Sequence, residues 1–181
     1  LPDGGAPITA WDLSPYMALE KKSPEMDIEG SARIADTIYW ITSHAPNKQG
    51  KARPNRKRFF ATRIRLEKGQ PRFEPVGNPV TTLLEALDRD PRYAAFGLTA
   101  AALKPPKTPG SLNIEALCAT ESGGLLIGFR SPVLDGTALL APLENPAETV
   151  NGQPPRFGAP ILLNLGGNGI QLSRNQNFFH A

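Results

Sequence analysis

The chain has 181 residues, 17 glycines, 19 prolines, one cysteine and a formal net charge of +3. That length supports one domain with a real core, and a glycine-plus-proline share of about a fifth suits many short strands joined by turns. One cysteine excludes an internal disulfide and a cysteine zinc cluster, and no apolar run approaches the roughly 18 residues of a membrane helix.

In chain order, Ile8-Thr9-Ala10-Trp11-Asp12-Leu13-Ser14 has the pattern of Ile161-Leu162-Leu163-Asn164-Leu165-Gly166 and reads as a flanking outer strand. Asp27-Ile28-Glu29-Gly30 then opens a unit that returns 86 positions later (113 − 27) as Asn113-Ile114-Glu115-Ala116. Apolar periodicity predicts strands at 27–34, 37–43, 58–66 and 72–76 in the first copy, and at 113–120, 124–130, 137–143 and 159–165 in the second. Glu67-Lys68-Gly69, Ser122-Gly123-Gly124, Leu134-Asp135-Gly136 and Asn151-Gly152 supply turn chemistry between them. The single cysteine, Cys118, falls in an apolar strand and is expected to be a buried, inert thiol.

A helical insertion is expected at about 82–104. Thr82 and Glu85 fit a capping box, Asp90-Pro91 fits a cap with the first helical residue, and Tyr93, Phe96, Ala100 and Leu103 follow at helical spacing until Pro105-Pro106.

Four strands per repeat is the pattern of a β-propeller blade. The predicted class is therefore all-β: about two four-stranded blades plus a flanking strand, with a short helical insertion. A closed ring takes about four to eight blades. Residues 1–181 are thus expected to form one partial propeller domain, belonging to a larger or multi-chain propeller closed by self-association or a complementing chain.

The residues also carry a family resemblance. Asp27-Ile28-Glu29-Gly30, Tyr39-Trp40-Ile41-Thr42-Ser43-His44, Arg53-Pro54-Asn55-Arg56, Arg58-Phe59-Phe60-Ala61-Thr62 and Leu126-Ile127-Gly128-Phe129-Arg130-Ser131-Pro132 resemble a bacterial family of uncharacterised β-propeller proteins. That family has a domain of unknown function and is related to the esterase-like phytase propellers. The resemblance covers about residues 6–170. It implies a propeller fold and tilts the functional reading toward hydrolysis of phosphorylated or ester substrates. The family's acid-rich opening blade has no counterpart here, and the tail at 171–181 is atypical.

Candidate chemistry follows from strand geometry. The innermost strand of a blade lines the channel, and residues two apart share a face, so Asp27 with Glu29 and Asn113 with Glu115 would present oxygen donors together. Hard oxygen ligands suit Ca²⁺ or Mg²⁺; the alternative is that these groups cap turns. At the far end of the second strands, His44 and Arg130 are equivalent by repeat. His44 is the candidate general base, with Arg56 and Arg130 to hold an anionic small-molecule substrate; a structural role is the alternative. The only other histidine, His180, lies in the atypical tail.

Thr37 to Leu66 contains no acid but holds Lys48, Lys51, Arg53, Arg56, Lys57, Arg58, Arg63 and Arg65. This reads as a solvated loop or an anion-binding face. Nucleic acid is not the expected partner, because adjacent Phe59 and Phe60 face opposite sides of a strand and at least one belongs to the core. There is no Gly-x-Ser-x-Gly elbow, phosphate loop or zinc-spaced histidine pair, and no membrane partner is expected. Gly166-Gly167-Asn168-Gly169 lacks a βαβ context for a dinucleotide site. The reading is a metal-assisted hydrolase of phosphorylated or ester substrates, with a non-catalytic ligand- or protein-binding scaffold as the alternative. The compartment, secreted, periplasmic or cytoplasmic, stays open.

Overall fold

The structure, a computed structural model, describes residues 10–20, 22 and 24–171. Two four-stranded antiparallel sheets dominate it, each a meander in chain order. Sheet 1 is β1 (Ile28–Ile34), β2 (Thr37–Thr42), β3 (Phe59–Glu67) and β4 (Gln70–Val80); sheet 2 is β5 (Asn113–Ala119), β6 (Leu125–Leu134), β7 (Thr137–Leu143) and β8 (Ile161–Asn164). The repeat read from sequence thus appears as two units of equal strand number. Lys68-Gly69 closes the β3–β4 hairpin and Asp135-Gly136 the β6–β7 hairpin, each with left-handed φ at both positions (52° and 77°, 48° and 76°), as a type I′ turn requires.

The sheets meet through β1 and β5. A Cβ on Gly30 would stand 2.9 Å from both the Cβ and the backbone nitrogen of Leu117, so glycine permits this approach. Tyr39, Ile41, Phe59 and Ala61 of sheet 1 share one apolar cluster with Ile114, Leu117, Ile127 and Phe129 of sheet 2. Both Phe59 and Phe60 are buried, since Phe59 stacks on Tyr39 and Phe60 on Trp40 on the opposite face.

The insertion joins the same core. It consists of α2 (Leu83–Arg89), a 3-10 turn at Ala94–Phe96 and α3 (Leu98–Ala101), after α1 (Ser14–Met17) near the start of the chain. Leu83, Leu84, Leu87, Tyr93 and Leu98 are each at most 1% exposed. The insertion departs from the expected pattern in three ways. Thr82 makes no side-chain cap bond, and the carboxylate of Asp90 accepts from the Arg92 backbone as a turn instead of starting a helix. Gly97, at φ 51°, breaks the helix and rephases it. Leu98, Ala101 and Ala102 face inward in consequence, while Ala100 and Leu103 face solvent.

Other expectations need correction. The flanking strand does not form: Ala10–Leu13 is irregular and Ser14 begins α1, while Ile8 and Thr9 lie outside the described residues. This segment runs along sheet 1 instead, with Trp11 packed on Phe73 at 4.8 Å and the Tyr16 hydroxyl donating to the Val76 carbonyl at 3.0 Å. Cys118 is exposed, because strand alternation sends Leu117 into the interface and Cys118 outward. The connection from β7 to β8 is no simple hairpin but holds α4 (Pro146–Val150), whose end abuts Gly77 of β4. No helix among the described residues is long and apolar enough to cross a membrane.

Candidate functional site

The candidate residues gather where β1 begins, β2 ends and β5 begins. Ser43 donates its backbone N–H to the Asp27 carbonyl at 3.0 Å, and Ile114 donates to the Ser43 carbonyl at 3.0 Å. This places Asp27, Ser43-His44 and Asn113-Ile114 side by side across the two sheets. Glu29 and Glu115 each form the extra residue of a β-bulge, between Ile28 and Gly30 in one sheet and between Ile114 and Ala116 in the other. A bulge breaks the strict two-residue alternation on which the pairing of Asp27 with Glu29 depends.

In sheet 1, Asp27 adopts φ 59° and ends β1's approach. Its carboxylate lies 3.2 Å from Nη1 of Arg56, whose Nη2 reaches Glu25 at 2.8 Å. Arg56 sits on a 3-10 turn, Pro54–Arg56, in the β2–β3 loop. Asn55 fastens that loop, exchanging two bonds with the Glu20 backbone at 3.0 and 3.1 Å. Arg58 is spent on the carbonyls of Pro54 (2.7 Å) and Lys57 (3.0 Å).

His44 follows β2 at φ 56° and is 1% exposed. Its Nδ1 lies 2.8 Å from the Thr42 carbonyl, which only accepts, so Nδ1 carries the proton and Nε2 the lone pair. Nε2 is buried without a partner. Burial lowers the imidazole pKa to about 4; the Thr42 bond opposes this and the Lys57 and Arg58 charges add to it. The ring is thus neutral at physiological pH, and it lies beneath the surface instead of at an open rim.

In sheet 2, Glu115 is 7% exposed. Its Oε1 accepts from Nδ2 of Asn113 at 2.6 Å and from Nη1 of Arg130 at 2.8 Å. Asn113 and Glu115 share a side through the first of these bonds even though register shifts interrupt the alternation between them. Asn113 Oδ1 is buried without a partner. Arg130 projects outward over an open hollow of about 610 Å³ lined also by Lys107, Thr108, Ser111, Asn113 and Ser131.

His44 and Arg56 are thus neighbours, with the His44 N–H donating to the Arg56 carbonyl at 2.9 Å, whereas Arg130 belongs to the hollow on sheet 2. Arg56 and Arg130 hold different carboxylates instead of converging on one point. Among the described residues, no group of three or more His, Cys, Asp or Glu is placed to hold a metal ion. His180 lies outside the described residues. Sequence reasoning missed Glu25, the Asn55 clamp and the wall formed by Lys107, Thr108 and Ser111, which come from segments without strand periodicity. A second hollow of about 490 Å³, between β4, α2 and α4, has Arg89 as its one ionisable lining residue.

Comparison with protein-family models, curated proteins and solved structures returns no match for the chain.

Proposed function

We propose that the two sheets are successive propeller blades and that the protein is a non-catalytic ligand-binding scaffold. The observation that carries the functional half is that arginine takes up an acid at the inner-strand opening of each repeat: Asp27 by Arg56 and Glu115 by Arg130. Guanidinium pairing occupies these carboxylates and fixes strand ends to loops. The blade reading is supported by the equivalent bulges at Glu29 and Glu115 and by the β1–β5 contact of innermost strands.

The hydrolytic reading asks Asp27, Glu29, Asn113 and Glu115 to hold Ca²⁺ or Mg²⁺ and His44 to reach a substrate. The buried His44 and the two ion pairs favour the scaffold over it.

Thermal melting in EDTA and in added Ca²⁺, together with a phosphomonoesterase and esterase screen, tests the choice. The scaffold reading expects an unchanged melting temperature and no turnover. A rise with Ca²⁺ that disappears in Glu29→Ala and Glu115→Ala, accompanied by turnover, would overturn it in favour of a metal-assisted hydrolase.

A further inference from the structure

Two acid-free stretches of the chain, Thr37 to Leu66 and Pro91 to Ile114, contribute loops to the same end of the molecule. The first is the β2–β3 loop with Lys48 and Lys51. The second is the approach to β5 with Lys104 and Lys107. They abut, since a Cβ on Gly50 would stand 3.0 Å from Cγ of Pro105. All four lysines are exposed, and none has an ion-pair partner among the described residues. The nearby acids are already engaged: Glu25 and Asp27 by Arg56, Glu115 by Arg130. A field of one sign with concave walls concentrates anions.

The hollow on sheet 2 opens within this field. Arg130 spends one N–H on Glu115, which orients the guanidinium and leaves its other donors toward the hollow. Lys107 stands on the lip at φ 68°, a left-handed conformation that a side chain other than glycine adopts at a cost. Thr108, Ser111 and Ser131 add hydroxyls to the wall.

We propose that this hollow binds a compact multivalent oxyanion, a polyphosphate or polycarboxylate group, clamped between Arg130 and Lys107. Glu115 is the positioning residue for Arg130. The proposal deepens the scaffold reading by naming the chemical class of its ligand. Volume favours a small ligand: about 610 Å³ lies within the range of small-molecule sites. The loops offer no exposed aromatic ring for base stacking, which argues against a nucleic acid strand.

The test is calorimetric titration of the whole chain with tripolyphosphate and, separately, with a tricarboxylate, at low and at physiological salt. Saturable one-to-one binding of either is expected, and the stronger ligand identifies the group. Lys107→Gln and Arg130→Gln should each weaken it about tenfold, the scale of one charge-assisted hydrogen bond. Lys68→Gln, on the distant β3–β4 hairpin, should leave it unchanged. Lys107 is exposed, so its variant keeps the fold even where loss of Arg130 disturbs Glu115. Absence of saturable binding, or equal weakening by Lys68→Gln, overturns the site and leaves the scaffold reading standing. Turnover of a bound phosphomonoester would instead overturn the scaffold reading while supporting the anion site.

Discussion

The amide of Ile170 donates to the carbonyl of Phe129 at 2.9 Å. It repeats, one sheet later, the bond from Ile114 to Ser43 that ties β5 to the end of β2 at 3.0 Å. Ser43 and Phe129 are themselves repeat equivalents, 86 positions apart (129 − 43). Gly169-Ile170 therefore stands to sheet 2 as Asn113-Ile114 stands to sheet 1. Glycine keeps the approach possible in both places: a Cβ on Gly128 would stand 3.0 Å from Cγ2 of Ile170, as one on Gly30 would crowd Leu117.

Gly30→Ala should therefore destabilise through overpacking of the β1–β5 interface. The expected loss is about 1–3 kcal/mol, because the obstructing atoms include backbone nitrogen and cannot swing aside. Urea unfolding followed by circular dichroism measures it; a change under about 0.5 kcal/mol would contradict the close β1–β5 contact.

His44 should make stability depend on pH in the acid range. Its folded pKa, about 4, lies below the ordinary 6.5. Between those values the unfolded chain binds a proton that the folded chain refuses, so stability is fully present above about pH 6.5 and falls as pH drops toward 4. The full effect is about 3 kcal/mol at most, since each tenfold change in proton affinity is worth about 1.4 kcal/mol. His44→Asn tolerates the left-handed φ and removes the titration. Denaturant midpoints at pH 4.5 and 7.5 should differ less in this variant than in the parent, and an equal difference would place the pH sensitivity elsewhere.

The Glu115–Arg130 pair should behave as a coupled unit. Arg130→Met leaves a nearly buried carboxylate with only the Asn113 amide, and should cost about 1–3 kcal/mol, less than a fully buried pair because the arginine side chain is 42% exposed. Adding Glu115→Gln removes the stranded charge and should recover part of that loss. A double-mutant cycle reads the coupling, expected at about 0.5–3 kcal/mol. Strict additivity would show that the pair does not hold the strand end.

The sheets were legible in the sequence because period-2 apolar patterning and glycine turns are local signals. All eight strands formed near the expected positions, with β4 and β6 running several residues further. What depends on distant partners was not legible. Cys118 looks like a core residue by its neighbours, yet which face of β5 meets β1 is decided by Gly30, about ninety positions earlier. The bulges at Glu29 and Glu115 leave no local mark, so side-chain direction in β1 and β5 was open. Acidic spacing suggested metal ligands, while the partners of those acids, Arg56 and Arg130, lie on other elements. His44 sits in a polar-looking segment, but a covered loop seals it from solvent.

The insertion offers a sharp test of tertiary override. An uninterrupted helix from Asp90 would bury Ala100 and Leu103; Gly97 instead rephases the chain and buries Leu98, which is 0% exposed, while Leu103 is 69% exposed. Leu98→Ala should then cost about 2–5 kcal/mol, the lost transfer energy plus a cavity in a core shared by both sheets. Leu103→Ala should stay within about 0.5 kcal/mol, as surface truncations do. Chemical denaturation of both variants reads the difference directly. A larger loss at Leu103 than at Leu98 would mean that the helical stripe continues through Gly97 and that the insertion packs by the opposite face.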